Sequence, residues 1–138
     1  MAVLSARCMA LAALLLIPLL TAGKELHVRP GESIAAAVAL AAPGDTVLVA
    51  RGRYEERLRI DKPLTLKGVD RPTLSGALQG DVIRVAAPDV TIENFIITDS
   101  GDDLTAQNAG VYVQPGADRA IVKNCDIAYS LFGMWIEG

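Results

Sequence analysis

From Thr46 onward the apolar residues come in short alternating bursts: TVLV, LRI, LTL, VIRV, VTI, FIIT, VYV, AIV, CDI and MWI. They are rich in Val, Ile, Leu and Thr and are bounded by Gly, Pro, Asp or Asn, which is the pattern of short strands. One earlier segment has a different period. In SIAAAVALAAPG, Ile34, Val38 and Ala41 fall on one helical face. Ser33 stands where an N-cap belongs and Pro43-Gly44 where a helix must stop, so a helix over about 33–42 is expected.

The bursts repeat. Leu58, Ile83, Val111 and Met134 begin similar strands 25, 28 and 23 positions apart. A second column aligns LTL at Leu64, VTI at Val90 and AIV at Ala120, and a third aligns FII at Phe95 with CDI at Cys125. Side chains switch faces at every residue of a strand. That points Leu58, Ile60, Ile83, Val85, Val111, Val113, Met134 and Ile136 inward. Arg59, Arg84, Tyr112 and Trp135 then form an outward column. In the third column Phe95, Ile97, Cys125 and Ile127 face in, and Ile96 and Asp126 face out.

Gly68, Asn94 and Asn124 align between the second and third columns. Gly and Asn tolerate left-handed backbone at low cost. A bend at that point, with Asn amides hydrogen-bonded from coil to coil, is the expected ladder. A coil of about 23 to 25 residues with three strands predicts an all-β fold, a right-handed single-stranded parallel β-helix. About three coils are expected over residues 24–138, with the helix capping the first coil. MWIEG at residues 134–138 falls inside a fourth coil, so an N-terminal part of a longer β-helix is expected.

The first residues belong to a different class. Arg7 precedes an apolar run from Met9 to Leu20, followed by the small residues of TAG. That is the layout of a cleaved secretory signal over residues 1–23, and it is short of the roughly 20 apolar residues of a membrane span. Export to the periplasm is expected, with no membrane insertion after cleavage. Losing Arg7 takes the formal net charge from −3 to −4. A mildly acidic chain offers no basic patch for nucleic acid. Cys125 is the single cysteine after residue 23, so no internal disulfide is expected.

Candidate chemistry is sparse. His27 is the one histidine, and a histidine-rich metal site is excluded. Cys125 and Met134 read as packing residues on inward columns. No catalytic residue and no bound cofactor or metal is assigned within residues 24–138. The outward Arg59, Arg84, Tyr112 and Trp135 mix arginine with aromatic residues, as interfaces and sugar-binding faces do. TDSGDDLTAQNAG, residues 98–110, spans 13 residues where the next coil uses six, AYSLFG. Asp99, Asp102 and Asp103 are therefore expected on an inserted loop, with the amides Gln107 and Asn108 behind them. A solvated loop, a calcium cage, an acid/base pair and a partner-docking loop all remain open for it, docking being the functional expectation.

The segment SIAAAVALAAPGDTVLVARGRYEERLRIDKPLTLKG resembles the entry segment of secreted pectin-lyase-like β-helices. The later DLTAQNAG, GADRAIVKN and LFG make the chain similar to the NosD family, periplasmic accessory proteins for nitrous oxide reductase maturation. The resemblance implies a non-enzymatic role in assembling the reductase's copper centres. The partners it implies are the subunits of a membrane ABC transporter, a copper chaperone lipoprotein and nitrous oxide reductase. Copper is expected, if at all, on the full-length protein, with ligands downstream of residue 138 or shared with a partner. The alternative reading is a polysaccharide lyase or hydrolase, or a carbohydrate-binding β-helix, because fold does not fix function. A repetitive adhesin is a third.

Overall fold

The structure, a computed structural model, describes residues 23–138. The expected signal segment therefore lies outside the described residues, apart from Gly23. The elements in order are β1 (Glu25–Val28), α1 (Ile34–Leu40), β2 (Thr46–Val49), β3 (Arg53–Glu55), β4 (Leu58–Ile60), β5 (Thr65–Gly68), β6 (Thr73–Ser75) and β7 (Ile83–Val85). They continue with β8 (Thr91–Glu93), β9 (Ile96–Thr98), β10 (Ala109–Val113), β11 (Ile121–Lys123), β12 (Asp126–Ala128) and β13 (Phe132–Ile136).

Every pairing is parallel, and the strands form three sheets. The first has the order β1-β2-β5-β8-β11, the second β3-β6-β9-β12, and the third β4-β7-β10-β13. The chain visits the sheets in the same sequence on each circuit, so four three-strand coils stack on one another, preceded by β1. This is an all-β parallel β-helix with one short helix. It is deeper than the three coils expected, because β2 and β3 complete a coil before Leu58.

The registers are those the repeat columns require. Leu58 pairs with Ile83, Ile83 with Val111, and Val111 with Met134. Leu66, Ile92 and Val122 align in the first sheet, and Ile97 aligns with Ile127 in the second. The core is the inward column set, and Ile60, Leu66, Leu74, Ile83, Ile92, Phe95 and Ile97 are fully buried. Each coil therefore contributes one or two branched or aromatic side chains per sheet to a continuous apolar stack.

The helix is held across the first coil from both ends. Ser33 accepts from Ala36 N, and its hydroxyl donates to Glu56 Oε1 at 2.5 Å. Glu56 Oε2 also accepts from Ile34 N at 2.7 Å. At the other end Lys62 Nζ donates to the Ala41 carbonyl at 2.7 Å. A carboxylate at the N-terminus and an ammonium at the C-terminus complement the orphan groups and the helix dipole. Glu56 and Lys62 flank β4, so one strand of the first coil carries both clamps. Ile34, Ala37, Val38 and Ala41 are buried beneath them.

The corner ladder is present in part. Asn94 and Asn124 take φ of 64° and 53°. Gly68 sits in their register but is not left-handed. It ends β5, and the bend falls instead at Asp70 and Arg71, each with φ 55°. The reason is length: residues 69–72 connect β5 to β6, whereas only Asn94 and Phe95 connect β8 to β9. Among the described residues no side-chain hydrogen bond joins Asn94 to Asn124. Backbone links the coils there, with Asn94 N donating to Lys123 O at 3.2 Å and Asp126 N to Phe95 O at 2.9 Å.

Gly68 is required for a different reason. A Cβ at that position would stand 2.2 Å from the Asn94 carbonyl oxygen and 2.5 Å from Pro72 Cδ. Both obstacles are rigid. Gly68→Ala is expected to lower stability by about 3 kcal/mol, the upper part of the overpacking range. Urea denaturation of the purified protein reads this directly; an unchanged midpoint would mean that the coil spacing at this corner is wrong.

Candidate functional site

Two features stand out on the side of the coil stack, and they meet at the corner between the second and third sheets. The first is the outer face of β4, β7 and β10. Arg59, Arg84, Tyr112 and Trp135 occupy one register across the third sheet. They do not form the row of exposed aromatics expected from alternation. Tyr112 is only 5% exposed although it points outward. The Arg84 guanidinium lies over its ring, 4.3 Å from the centroid, and its hydroxyl bonds to Glu137. That hydrogen bond, followed by burial, pushes the Tyr112 phenol up from its ordinary value. Trp135 is half-buried and packs tilted against Phe132, with ring centroids 5.0 Å apart.

Arg84 is fixed by two further bonds. Its Nε and Nη2 both reach Asp81 Oδ2, at 3.2 and 2.6 Å. Asp81 Oδ1 in turn accepts from Ala109 N at 2.9 Å. A charge-assisted pair held by a backbone donor and a stacked ring is rigid. Arg59 reaches past β7 to donate to Gln114 Oε1 at 2.8 Å. Asp81, Gln114 and Glu137 were not legible as partners of these residues. Asp81 precedes Arg84 by three positions, and that local spacing is the one signal that pointed to it.

The second feature is the connection from β9 to β10, residues 99–108. The three aspartates it carries do not converge. Asp99 has φ 62°, and its carboxylate accepts from Ser75 Oγ at 2.8 Å and from Arg53 Nη2 at 3.3 Å. The Ser75 hydroxyl foremost, with Arg53 behind it, holds Asp99 below the ordinary carboxylate range. Asp103 Oδ1 accepts from Thr105 N at 2.8 Å and Ala106 N at 3.2 Å, an Asx turn. Asn108 is buried and closes the loop, accepting from Asp103 N through Oδ1 at 3.1 Å while its own N–H donates to the Asp103 carbonyl. Asp102 is exposed and Gln107 half-buried. Two of the three carboxylates, Asp99 and Asp103, are engaged by Ser75, Arg53 and backbone amides, and Asp102 points to solvent apart from them. Among the described residues no group of three or more His, Cys, Asp or Glu is placed to hold a metal ion.

The loop is nevertheless firmly seated. Gly101 N donates to the Gly80 carbonyl at 2.8 Å, and Ser100 Oγ accepts from Leu131 N at 3.0 Å. What projects is residues 102–106, with Asp102, Asp103 and Leu104 exposed. Leu104 was not among the expected site residues; as an apolar residue on an inserted polar loop it carried the only available signal.

The remaining candidates take structural places. His27 is exposed, 3.5 Å from Glu25. Cys125 is half-buried, and burial pushes its thiol up, away from the reactive thiolate. Met134 and Ile136 stand in register with Val111 and Val113, yet they are 43% and 68% exposed rather than core. No described strand lies on the far side of β13 to cover them.

Fold and side face together define a parallel β-helix whose elaborated features are a corner loop and an arginine-bearing sheet. No family model matches the chain. It is similar to a protein of Stutzerimonas stutzeri named "Probable ABC transporter binding protein NosD", 30% identical over 87 residues, which is 63% of this chain and 20% of that protein. A protein of the same name from Pseudomonas aeruginosa strain PAO1 is 30% identical over 89 residues, 64% of this chain and 21% of that protein. Another from Pseudomonas aeruginosa is 32% identical over 66 residues. These matches bear out the NosD resemblance read from the sequence. The matched part of the chain spans about a fifth of the length of the first two relatives.

Proposed function

We infer that the protein is a NosD-like periplasmic accessory protein without catalytic activity of its own. It acts in assembly of the copper centres of nitrous oxide reductase, alongside an ABC transporter and a copper chaperone. The observation that carries the reading is the similarity to NosD proteins whose printed name is that of an ABC transporter binding protein. The geometry agrees with a scaffold. No described helix is long and apolar enough to cross a membrane. Arg84, Asp81, Tyr112 and Glu137 are tied up in mutual contacts rather than arranged as a nucleophile, a base and an orienting group.

The polysaccharide-acting alternative needs a catalytic arginine, lysine or carboxylate pair on an outer face. Arg84 is committed to Asp81 and Tyr112, and Arg59, bonded to the neutral Gln114, has no carboxylate within ion-pair distance among the described residues to complete such a set. In the β9–β10 loop Asp99 is bonded to Ser75 and Asp103 to the loop backbone. Docking through the projecting residues is the role left to that loop. Asp102 and Asp103, backed by Asn108 and Gln107, present a negative tip to the transporter, the chaperone or the reductase.

The test uses the tagged full-length protein expressed in its own host, cross-linked in intact cells. A membrane-bound ABC transporter subunit should be recovered with it. Asp102→Asn with Asp103→Asn should reduce that recovery at least several-fold while leaving the melting temperature within about 3 °C, since Asp102 is exposed and Asn retains the Asx turn. Equal recovery with the double variant would remove the loop from docking. Depolymerisation of a uronic-acid polysaccharide by the purified protein would favour the enzymatic alternative.

A further inference from the structure

The chain is acidic overall, yet three arginines line one shallow cleft of about 290 Å³ on the outer face of the third sheet. Arg57, Arg59 and Arg84 surround it, with Gly80, Asp81 and Asn108 on its floor and rim. Their charges are not equally spent. Arg84 is neutralised by Asp81, whose side chain is only 6% exposed. Arg59 has a neutral partner, Gln114. Among the described residues no carboxylate lies within ion-pair distance of Arg57 or Arg59. Two guanidinium groups on one cleft therefore keep their charge and most of their donors free.

The cleft is shaped for this arrangement. Gly80 has φ 56°, and Arg57 Nη1 lies 2.7 Å from the place where a Cβ on Gly80 would stand. A side chain at residue 80 would force the Arg57 guanidinium to shift. Arg84 is clamped by Asp81 and the Tyr112 ring and so forms a fixed wall rather than a mobile arm.

We propose that the cleft of Arg57, Arg59 and Arg84 binds an acidic peptide segment of a partner protein, its carboxylates paired with the Arg57 and Arg59 guanidinium groups. Arginine forks match carboxylates in a bidentate geometry that lysine does not provide. No aromatic ring lines the cleft to serve as a stacking platform for a sugar, and the neighbouring Tyr112 ring is covered by Arg84. The neighbouring acidic loop sets direction. Asn108 belongs both to the cleft rim and to the closure of the loop that carries Asp102 and Asp103. Positive cleft and negative tip lie side by side, so a partner must carry the opposite pair of charges in the right order to engage both. This deepens the docking role proposed above and rests on it for its biological meaning, but not for its chemistry.

Binding of fluorescein-labelled hexaglutamate to the purified full-length protein, followed by anisotropy, tests the site without reference to the reductase. Wild type should bind, and Arg57→Gln with Arg59→Gln should weaken binding at least tenfold. Both arginines are exposed, so the melting temperature should not move. Arg29→Gln with Arg51→Gln, two exposed arginines elsewhere, should leave binding unchanged. Binding should also fall steeply between 50 and about 300 mM salt, as for exposed ion pairs. Absence of hexaglutamate binding, an equal loss with the control pair, or binding of a hexagalacturonate in place of the peptide would each overturn the proposal. Peptide binding lost in the double arginine variant, with reductase maturation independent of this protein, would leave the site standing and remove the accessory role.

Discussion

Ile97→Lys should abolish cooperative folding, while Ile96→Lys should be tolerated. The two isoleucines are adjacent, so residue type and neighbourhood are the same and only the face differs. Ile97 is fully buried, in register with Leu74 on one side and Ile127 on the other. An ammonium there has no carboxylate and no water, and its desolvation costs several kcal/mol even after its pKa falls. A domain stabilised by roughly 5–15 kcal/mol has little margin for that. Ile96 is half-exposed, in register with Thr73 and Asp126. A lysine at that position meets water and a carboxylate, and a change within about 1 kcal/mol is expected. Circular dichroism melts of the two variants decide the matter; a normal transition in Ile97→Lys would contradict the inward assignment of the whole column.

Phe95→Ala should cost about 3–5 kcal/mol, the range for deleting a buried aromatic ring. Phe95 is the bulkiest of the fully buried side chains. It follows the left-handed Asn94, at the corner where the first sheet hands over to the second. Two-residue corners leave the backbone no slack to collapse into the space the ring vacates, which keeps the cavity open and the cost high. The backbone carbonyl of Phe95 still accepts from Asp126 N, so the coil-to-coil link survives and the loss is one of packing. Urea denaturation should give a lowered midpoint with an unchanged slope. A loss below about 1 kcal/mol would mean that the corner relaxes and the stack is looser than its burial implies.

The third sheet was the most legible part of the fold, and the reason is physical. Three of its four strands bury two apolar residues around one outward residue: Leu58 and Ile60, Ile83 and Val85, Val111 and Val113. That is enough alternation to see. β3 and β6 were missed as members of the second sheet because only one inward apolar residue marks each, Tyr54 and Leu74. Arg53 and Glu55 flank the first, and the second follows Pro72. A single apolar residue has no period. Without those strands the coil count was read as about three, and β2, though read as a strand, was not assigned to a repeat column.

The candidate site was legible in its residues but not in its bonds. Arg59, Arg84 and Tyr112 were placed on one outward column, and they share one register. Their partners Gln114 and Asp81 come from turns, and Glu137 from beyond β13, where strand periodicity says nothing about direction. Tyr112 was taken as exposed because alternation fixes a face, not what lies over it; the neighbouring coil supplied Arg84 as a lid. Gly68 was read as a bend residue because Gly and Asn share left-handed tolerance. The longer corner after β5 moved the bend to Asp70 and Arg71, and what Gly68 provides is closeness to Asn94.

The accessory role stands or falls on copper in the reductase. Nitrous oxide reductase should be purified from the host lacking this gene and from the same strain carrying the full-length gene, and its copper per protein measured by plasma mass spectrometry. The expected result is a folded, exported reductase depleted of copper in the deletion strain, restored by the intact gene. A copper-replete, active reductase from the deletion strain would contradict it.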